Sequence, residues 1–130
     1  MPSNFNQVAI LFINDNSDDI GIVSNYAINF NQGAGTVSAH ITCSINYNDK
    51  SPLFDYFIQN QPATLKLLVE NTINSAGPTT RTIEFQNAIC RDYLETYDMN
   101  TQSSENVNDM LVVVTIQADG ATMGETSFPG

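Results

Sequence analysis

The sequence is poor in the residues on which most catalytic and nucleic-acid-binding surfaces depend. It has no tryptophan, one histidine, two cysteines and only four basic residues among 130, against fourteen acidic ones. The formal net charge is therefore -10 at pH 7. Because a phosphate-binding surface needs clustered Lys and Arg, we expect neither nucleic acid nor an anionic membrane as a partner. We interpret the acidity as a source of solubility and of repulsion between unassembled copies.

Long apolar runs are also missing. The first seven residues carry no charge, and the apolar run at residues 8–13 is too short for the core of a signal peptide. No stretch approaches the length of a membrane span. We therefore expect the protein to be made in the cytoplasm. Its length suits one domain, which we place at residues 1–120, followed by a flexible C-terminal tail at 121–130.

Apolar and polar residues alternate along much of the chain, and this period of two predicts half-buried β-strands. The longest example covers residues 36–47, where Val37, Ile41 and Cys43 share one face and His40 lies on the other. A second example puts five apolar side chains on one face: Ile20, Ile22, Tyr26, Ile28 and Phe30. Further strands are predicted at residues 8–13, 63–72, 80–86, 89–98 and 110–119.

Residues 51–59 break this alternation and predict a short helix. Ser51 can cap it, Pro52 suits its first position, and Leu53, Phe54, Phe57 and Ile58 form an apolar stripe at helical spacing. The fold class predicted is mainly β, an antiparallel barrel or sandwich of two packed sheets with one short α-helix.

The candidate nucleophiles lack a base. Alternation puts His40 and Cys43 on opposite faces of one strand, so they cannot cooperate within it. Nothing in the sequence around Cys90 indicates an exposed thiolate, and we interpret both cysteines as core residues.

Glu84, Asp92, Glu95 and Asp98 could supply a carboxylate pair for glycoside chemistry, but no sugar-stacking platform accompanies them. We predict no enzyme, no catalytic residues and no cofactor.

The acidic segment at residues 15–19 (DNSDD) raises the question of calcium. Its spacing fails the calcium-loop pattern, because Gly21 comes one place late and Tyr26 stands where the bidentate carboxylate is needed. A tight acidic turn between two strands is the interpretation we prefer, with weak calcium binding left open. We predict no metal site.

The order of motifs from the helix onward carries a family resemblance. The segments are LFDYF at 53–57, TLKL at 64–67, TIEFQNAIC at 82–90, YLETYD at 93–98 and MLVVVTIQA at 110–118. Together they resemble the tube protein of the type VI secretion system, the Hcp or TssD family, and in particular its short variety known from Bacteroidetes. The resemblance covers residues 36–118 in order, without a single invariant motif.

The resemblance implies a barrel of two sheets with a helix on its flank. Six copies would form a ring, and rings would stack into a hollow tube that carries effectors, enclosed by a sheath and tipped by a spike protein. The protein would be exported by that apparatus without a signal peptide. The polar face of the long strand would then line the lumen through Ser38, His40, Thr42 and Ser44.

The strand at residues 8–13 is apolar on both faces, which favours either a central position or cover by a neighbouring subunit. We predict Ala9, Leu11 and Ile13 as the subunit-interface residues. Two alternatives to the secretion tube stay open at this point. One is the tail-tube protein of a phage-like contractile machine, and the other is a monomeric β-sandwich binding module.

Overall fold

The backbone pairs along most of its length into antiparallel strands. The computed structural model describes residues 7–46, 49–71, 79–97 and 109–129. The elements within these ranges are β1 (Gln7–Ile13), β2 (Ile22–Asn31), β3 (Thr36–Asn46), α1 (Pro52–Gln59), β4 (Ala63–Asn71), β5 (Thr79–Thr96), β6 (Asp109–Ala118), β7 (Gly120–Met123) and β8 (Thr126–Phe128). The mainly β fold class with a short helix is confirmed. Tyr47, Thr72 and Asp98, predicted to lie at strand ends, are outside the described residues.

The strands form one curled sheet in the order β1-β4-β5-β6-β3-β2, with the β7–β8 hairpin attached to β5. Strand β5 joins the two halves, because its first part pairs with β4 and its second part pairs with β6. The inner faces of both halves bury one continuous hydrophobic cluster, so the sheet folds over itself into a half-barrel. The predicted two packed layers are thus two halves of one sheet.

The long strand β5 replaces two predicted strands, at 80–86 and 89–98. Asn87 has a left-handed backbone with φ 53°, and the pairing with β6 shifts by one residue between Cys90 and Asp92. An extra residue of this kind bends a strand and increases its twist without ending it. The bend lets a single strand serve both halves of the sheet.

Alternation predicted the core correctly along β3 but not along β2. In β3 the residues Val37, Ala39, Ile41, Cys43 and Ile45 are buried. In β2 the pairing with β3 shifts between Val23 and Asn25, and the side-chain phase changes with it. The prediction that Ile22 shares a face with Tyr26, Ile28 and Phe30 is therefore wrong.

Helix α1 begins at Pro52, and the Ser51 side chain, contrary to expectation, makes no capping hydrogen bond. The side chains that the helix buries are Leu53 and Tyr56, and the Tyr56 hydroxyl donates a hydrogen bond to the Ala88 carbonyl of β5. The predicted apolar stripe is thus rotated toward Tyr56. Within the described ranges no helix is long and apolar enough to cross a membrane.

The structure differs from the prediction of a flexible tail after residue 120. Strand β7 pairs with β5, placing Ala121 opposite Phe85, and β8 folds back onto β7. Phe128 then meets Phe30 of β2 edge to face, with 5.2 Å between ring centroids. The Gly, Thr and Ser content of this segment predicted flexibility. In the structure, pairing with β5 and the contact between Phe128 and Phe30 hold the segment against the sheet.

Candidate functional site

The outer side of β2, β3 and β6, together with the second half of β5, presents a polar surface. Register places Asn29 and Gln117 on either side of Ser38, and Ala27 and Thr115 on either side of His40. The surface, called the polar face from here on, comprises Asn25, Ala27, Asn29, Asn31, Thr36, Ser38, His40, Thr42, Ser44, Arg91, Asp92, Thr115 and Gln117, with one branched aliphatic residue, Ile89, paired to Gln117. The four side chains predicted from the sequence to share one face, Ser38, His40, Thr42 and Ser44, are brought together on it.

Hydrogen bonds tie the polar face together across strands. His40 Nδ1 lies 3.0 Å from the Thr115 hydroxyl, and Arg91 Nε donates to Gln117 Oε1 at 3.2 Å. At the end of the face near the β2–β3 turn, a shallow cleft of about 250 Å³ includes Ser38, Arg91 and Gln117 in its lining. Among the described side chains of this face, fixed charge comes only from Arg91 and Asp92. The surface therefore offers mainly hydroxyl and amide groups.

Only one strand of this face, β3, was predicted from the sequence as part of the site. The alternation in residues 110–118 already separates Thr115 and Gln117 from the buried Val114 and Ile116. The strand order could not be predicted from the sequence. It places β6 beside β3, although more than sixty residues separate the paired residues Asn46 and Asp109. The alternation in residues 110–118 therefore indicates which side chains face outward, but not that they lie beside those of β3.

An apolar patch interrupts one end of the same surface. It comprises Ile22 of β2, Leu94 of β5, and Leu111 and Val113 of β6. Ile22, Leu94 and Leu111 are 57%, 58% and 46% exposed. Leu94 pairs directly with Val113, and Ser44 alone separates Ile22 from Leu111. The patch is thus contiguous, and it lies at the opposite end of the face from the cleft.

The three residues of β1 predicted to form the subunit interface point toward the core of their own subunit. Leu11 is fully buried within its own subunit, and Ala9 and Ile13 pack half-buried against the same core. The structure corrects the prediction for Leu11, because a side chain already covered by its own chain cannot contact a neighbour. With apolar residues on both faces, the sequence held no information about which face turns inward.

The outward face of β1 carries the alternate residues. Val8 is exposed there, and Phe12 lies beneath Lys66 of β4, whose Nζ is 4.9 Å from the ring centroid. This contact covers part of the aromatic ring with a flexible cationic side chain. The exposed apolar surface of β1 is accordingly small.

The two cysteines are free and buried, as predicted. Burial raises the pKa of Cys43 to about 12 and the pKa of Cys90 to about 11, from an ordinary value of 9.0. His40 lies on the polar face, across the sheet from Cys43. Neither thiol is therefore placed or ionised as a nucleophile would need to be.

The raised pKa values predict inert thiols in the folded protein. At pH 8 the thiolate fraction of Cys43 should be about a thousandfold below that of an ordinary cysteine, since each pKa unit is a factor of ten. We expect almost no reaction with a disulfide reagent such as DTNB under native conditions, and release of two equivalents per chain after unfolding in guanidinium. Rapid native labelling of either thiol would contradict the burial of Cys43 and Cys90.

The acidic segment forms a tight turn, as preferred from the sequence. Asn14, Asp15 and Asp19 have left-handed backbones, and the Asn14 side chain accepts a hydrogen bond from the Thr64 amide. Asp19 lies 3.6 Å from the ammonium group of Lys50. In the part of the chain that the structure describes, no group of three or more His, Cys, Asp or Glu side chains is arranged to hold a metal ion.

These elements define a class of protein: a curled antiparallel half-barrel with one helix on its flank and a polar outer face. Its fold is that of the Hcp proteins. Hcp1 from Flavobacterium johnsoniae superposes with a TM-score of 0.64 at 16% identity, over 93% of this chain and 98% of that one. Hcp3 from Pseudomonas aeruginosa, described as a secreted protein, gives 0.66 at 14% identity, over 94% and 95%.

A further Hcp crystal structure gives a TM-score of 0.63 at 14% identity, again over 94% of this chain and 95% of that one. No protein-family model matches the sequence, and no curated protein matches it. At this level of identity, the likeness establishes the fold. The resemblance seen in the sequence is thereby confirmed at the level of the fold.

Proposed function

We propose that this protein is a structural subunit of the inner tube of a type VI secretion system. In this proposal about six copies form a ring, and rings stack into a hollow tube that carries effectors. The observation that carries the proposal is the extent of the match, which covers at least 93% of this chain and at least 95% of three Hcp chains. The likeness is that of a whole domain and not of a local motif.

The polar face is the surface we assign to the lumen. Ser38, His40, Thr42 and Ser44 present hydroxyl and imidazole groups on a sheet with little fixed charge. Such a surface holds water through hydrogen bonds and offers a passing protein few strong ionic contacts. A lumen of this chemistry would let effectors enter and leave the tube.

The edges of the sheet support assembly. Among the described strands, β1 pairs only with β4, and β2 pairs only with β3. Unpaired edges in a monomer are exposed to association with other chains, and a closed ring covers them through heterologous contacts between copies. We therefore place subunit contacts at the sheet edges and not on the Leu11 face.

A structural role also agrees with the low reactivity expected of the two cysteines. Burial of Cys43 and Cys90 raises both thiol pKa values, so neither is suited to covalent catalysis. We propose that the protein is not an enzyme, that it is made in the cytoplasm, and that the apparatus exports it without a signal peptide. Its partners in this proposal are further copies of itself, the sheath, the spike and effector proteins.

Native mass spectrometry and negative-stain imaging test the assembly. We expect a particle of about six times the 14.3 kDa chain mass, seen as a ring with a central hole. The wild-type protein should be measured across a range of concentrations and salt, because the net charge of -10 opposes association at low ionic strength. A strict monomer at high concentration would contradict the proposal and favour a monomeric binding module.

A variant on the polar face tests the assignment of the lumen. Thr42→Glu should leave the particle mass unchanged, because a lumen side chain touches no neighbouring subunit. Ile58→Glu on helix α1, at an exposed site away from the sheet edges, serves as the comparison and should also leave the particle mass unchanged. If Thr42→Glu dissociates the ring, the polar face is a contact surface and the assignment to the lumen is wrong.

A further inference from the structure

The apolar patch does not match the surface on which it lies. Ile22, Leu94 and Leu111 are each about half exposed, although most of the other side chains of the polar face carry hydroxyl, amide or charged groups. Val113 fills the space beside Leu94 and is half-buried. Exposed aliphatic side chains that are contiguous in this way mark sites of interaction more often than scattered ones do.

The size of the patch limits what can occupy it. A stable contact between two protein chains buries roughly 800 Å² on each partner, far more than three half-exposed aliphatic side chains and one half-buried valine can supply. By itself the patch is therefore too small to hold two copies of this chain together. It fits a weak and reversible contact with a flexible segment.

The surroundings limit the chemistry of the occupant. In the two rows of the sheet that contain the patch, the neighbouring described side chains are Asn25, Thr42, Ser44 and Thr96, and none is charged. The charged side chains of the polar face, Arg91 and Asp92, lie outside these rows, with Asp92 paired to Thr115 in the row next to Leu94. A charge buried beside Leu111 would therefore lie two rows away from them, at a cost in free energy. An uncharged polypeptide could bury aliphatic or aromatic side chains on the patch while Thr42 and Ser44 bind its peptide groups.

We propose that the apolar patch binds uncharged, aliphatic or aromatic segments of polypeptides carried in the tube. The inference rests on the proposed function, since it is the ring that repeats the patch around a shared lumen. Repetition raises the effective concentration of binding sites, so weak single contacts add up to retention of a passenger. The same weakness of each contact lets the passenger leave when the tube opens.

Fluorescence anisotropy with two designed peptides tests the proposal. The first is a fluorescein-labelled peptide in which leucine alternates with serine, and in the second asparagine replaces each leucine. We expect wild-type protein to bind the leucine peptide and to discriminate against the asparagine peptide. The double variant Leu94→Thr and Leu111→Thr should bind the leucine peptide about tenfold more weakly, because it removes half-exposed aliphatic contacts.

The matched control is Ile58→Thr on helix α1. Ile58 is 60% exposed, which is close to Leu94, but it lies on the helix and outside the polar face. Its substitution should leave peptide affinity unchanged. Threonine suits a strand, so the two substitutions on β5 and β6 should preserve the sheet, and circular dichroism checks this.

Measuring particle mass on the same samples separates the outcomes. Rings that bind both peptides equally, or a double variant that binds as wild type does, would overturn the proposal while leaving the tube function intact. Loss of the ring in the double variant would also overturn it, by identifying the patch as a subunit contact. A monomer that still prefers the leucine peptide, and loses this preference in the double variant, would support the patch and refute the tube.

Discussion

Replacing Phe85 by alanine is expected to lower the free energy of unfolding by about 3–5 kcal/mol. Phe85 is fully buried in β5, and register places Leu65 of β4 and Ala121 of β7 on either side of it. The substitution removes a large apolar contact and leaves a cavity that neighbours in three paired strands cannot easily fill. Because small domains are stable by only about 5–15 kcal/mol, this is a large share of the total.

Urea unfolding followed by circular dichroism measures the effect. Phe54→Ala provides the matched control, because Phe54 is 44% exposed and contacts Tyr93 at the edge of the helix. The control should lose much less stability, about 1 kcal/mol. Similar losses at the two positions would contradict the full burial of Phe85 between β4 and β7. Since β7 belongs to the segment predicted to be flexible, the experiment also tests whether the C-terminal hairpin is part of the folded domain.

The sequence predicted this fold best where backbone geometry is regular. Along β3 every second residue from Val37 to Ile45 is buried, and alternation alone predicts that. The errors fall where the backbone departs from regularity, at the bulge after Val23 and at the bend near Asn87. A bulge adds one residue to one strand of a pair, so the side chains beyond it change faces. Its position depends on the partner strand, and the sequence of one strand does not specify that partner.

The candidate site was predictable strand by strand but not as a surface. Ser38, His40, Thr42 and Ser44 follow from one alternating strand, and the structure adds Thr115 on β6 by long-range pairing. The apolar patch was hidden for a different reason. Alternation predicted Ile22 on the same face as Tyr26, Ile28 and Phe30, whereas the bulge at Ser24 places it on the outer side beside the polar face.

Replacing Gly21 by alanine is expected to lower the free energy of unfolding by about 2–5 kcal/mol, the sum of backbone strain and a steric clash. Gly21 has φ +88°, a conformation that L-residues rarely adopt. An added Cβ would lie 2.3 Å from the carbonyl oxygen of Ser44 and 2.9 Å from the Ile45 side chain. The backbone oxygen belongs to β3 and cannot move aside without disturbing the pairing of β2 with β3.

Gly124→Ala separates the two contributions. Gly124 also has a positive φ, +60°, in the β7–β8 turn, but an added Cβ there meets no heavy atom within 4 Å. It should therefore show only the backbone strain, about 1–2 kcal/mol, when unfolding in urea is compared for both variants. Equal losses at the two glycines would contradict the close approach of Gly21 to β3.

The Gly21 variant has a second expected consequence, which links the fold to the site. Gly21 lies between the buried Ile20 and the exposed Ile22, and its conformation allows the chain to enter β2 with these two side chains on opposite sides. Relief of the clash should move the start of β2 away from Ser44 and separate Ile22 from Leu111. If the patch binds as proposed, folded Gly21→Ala protein should bind the leucine peptide more weakly, whereas Gly124→Ala should bind as wild type does.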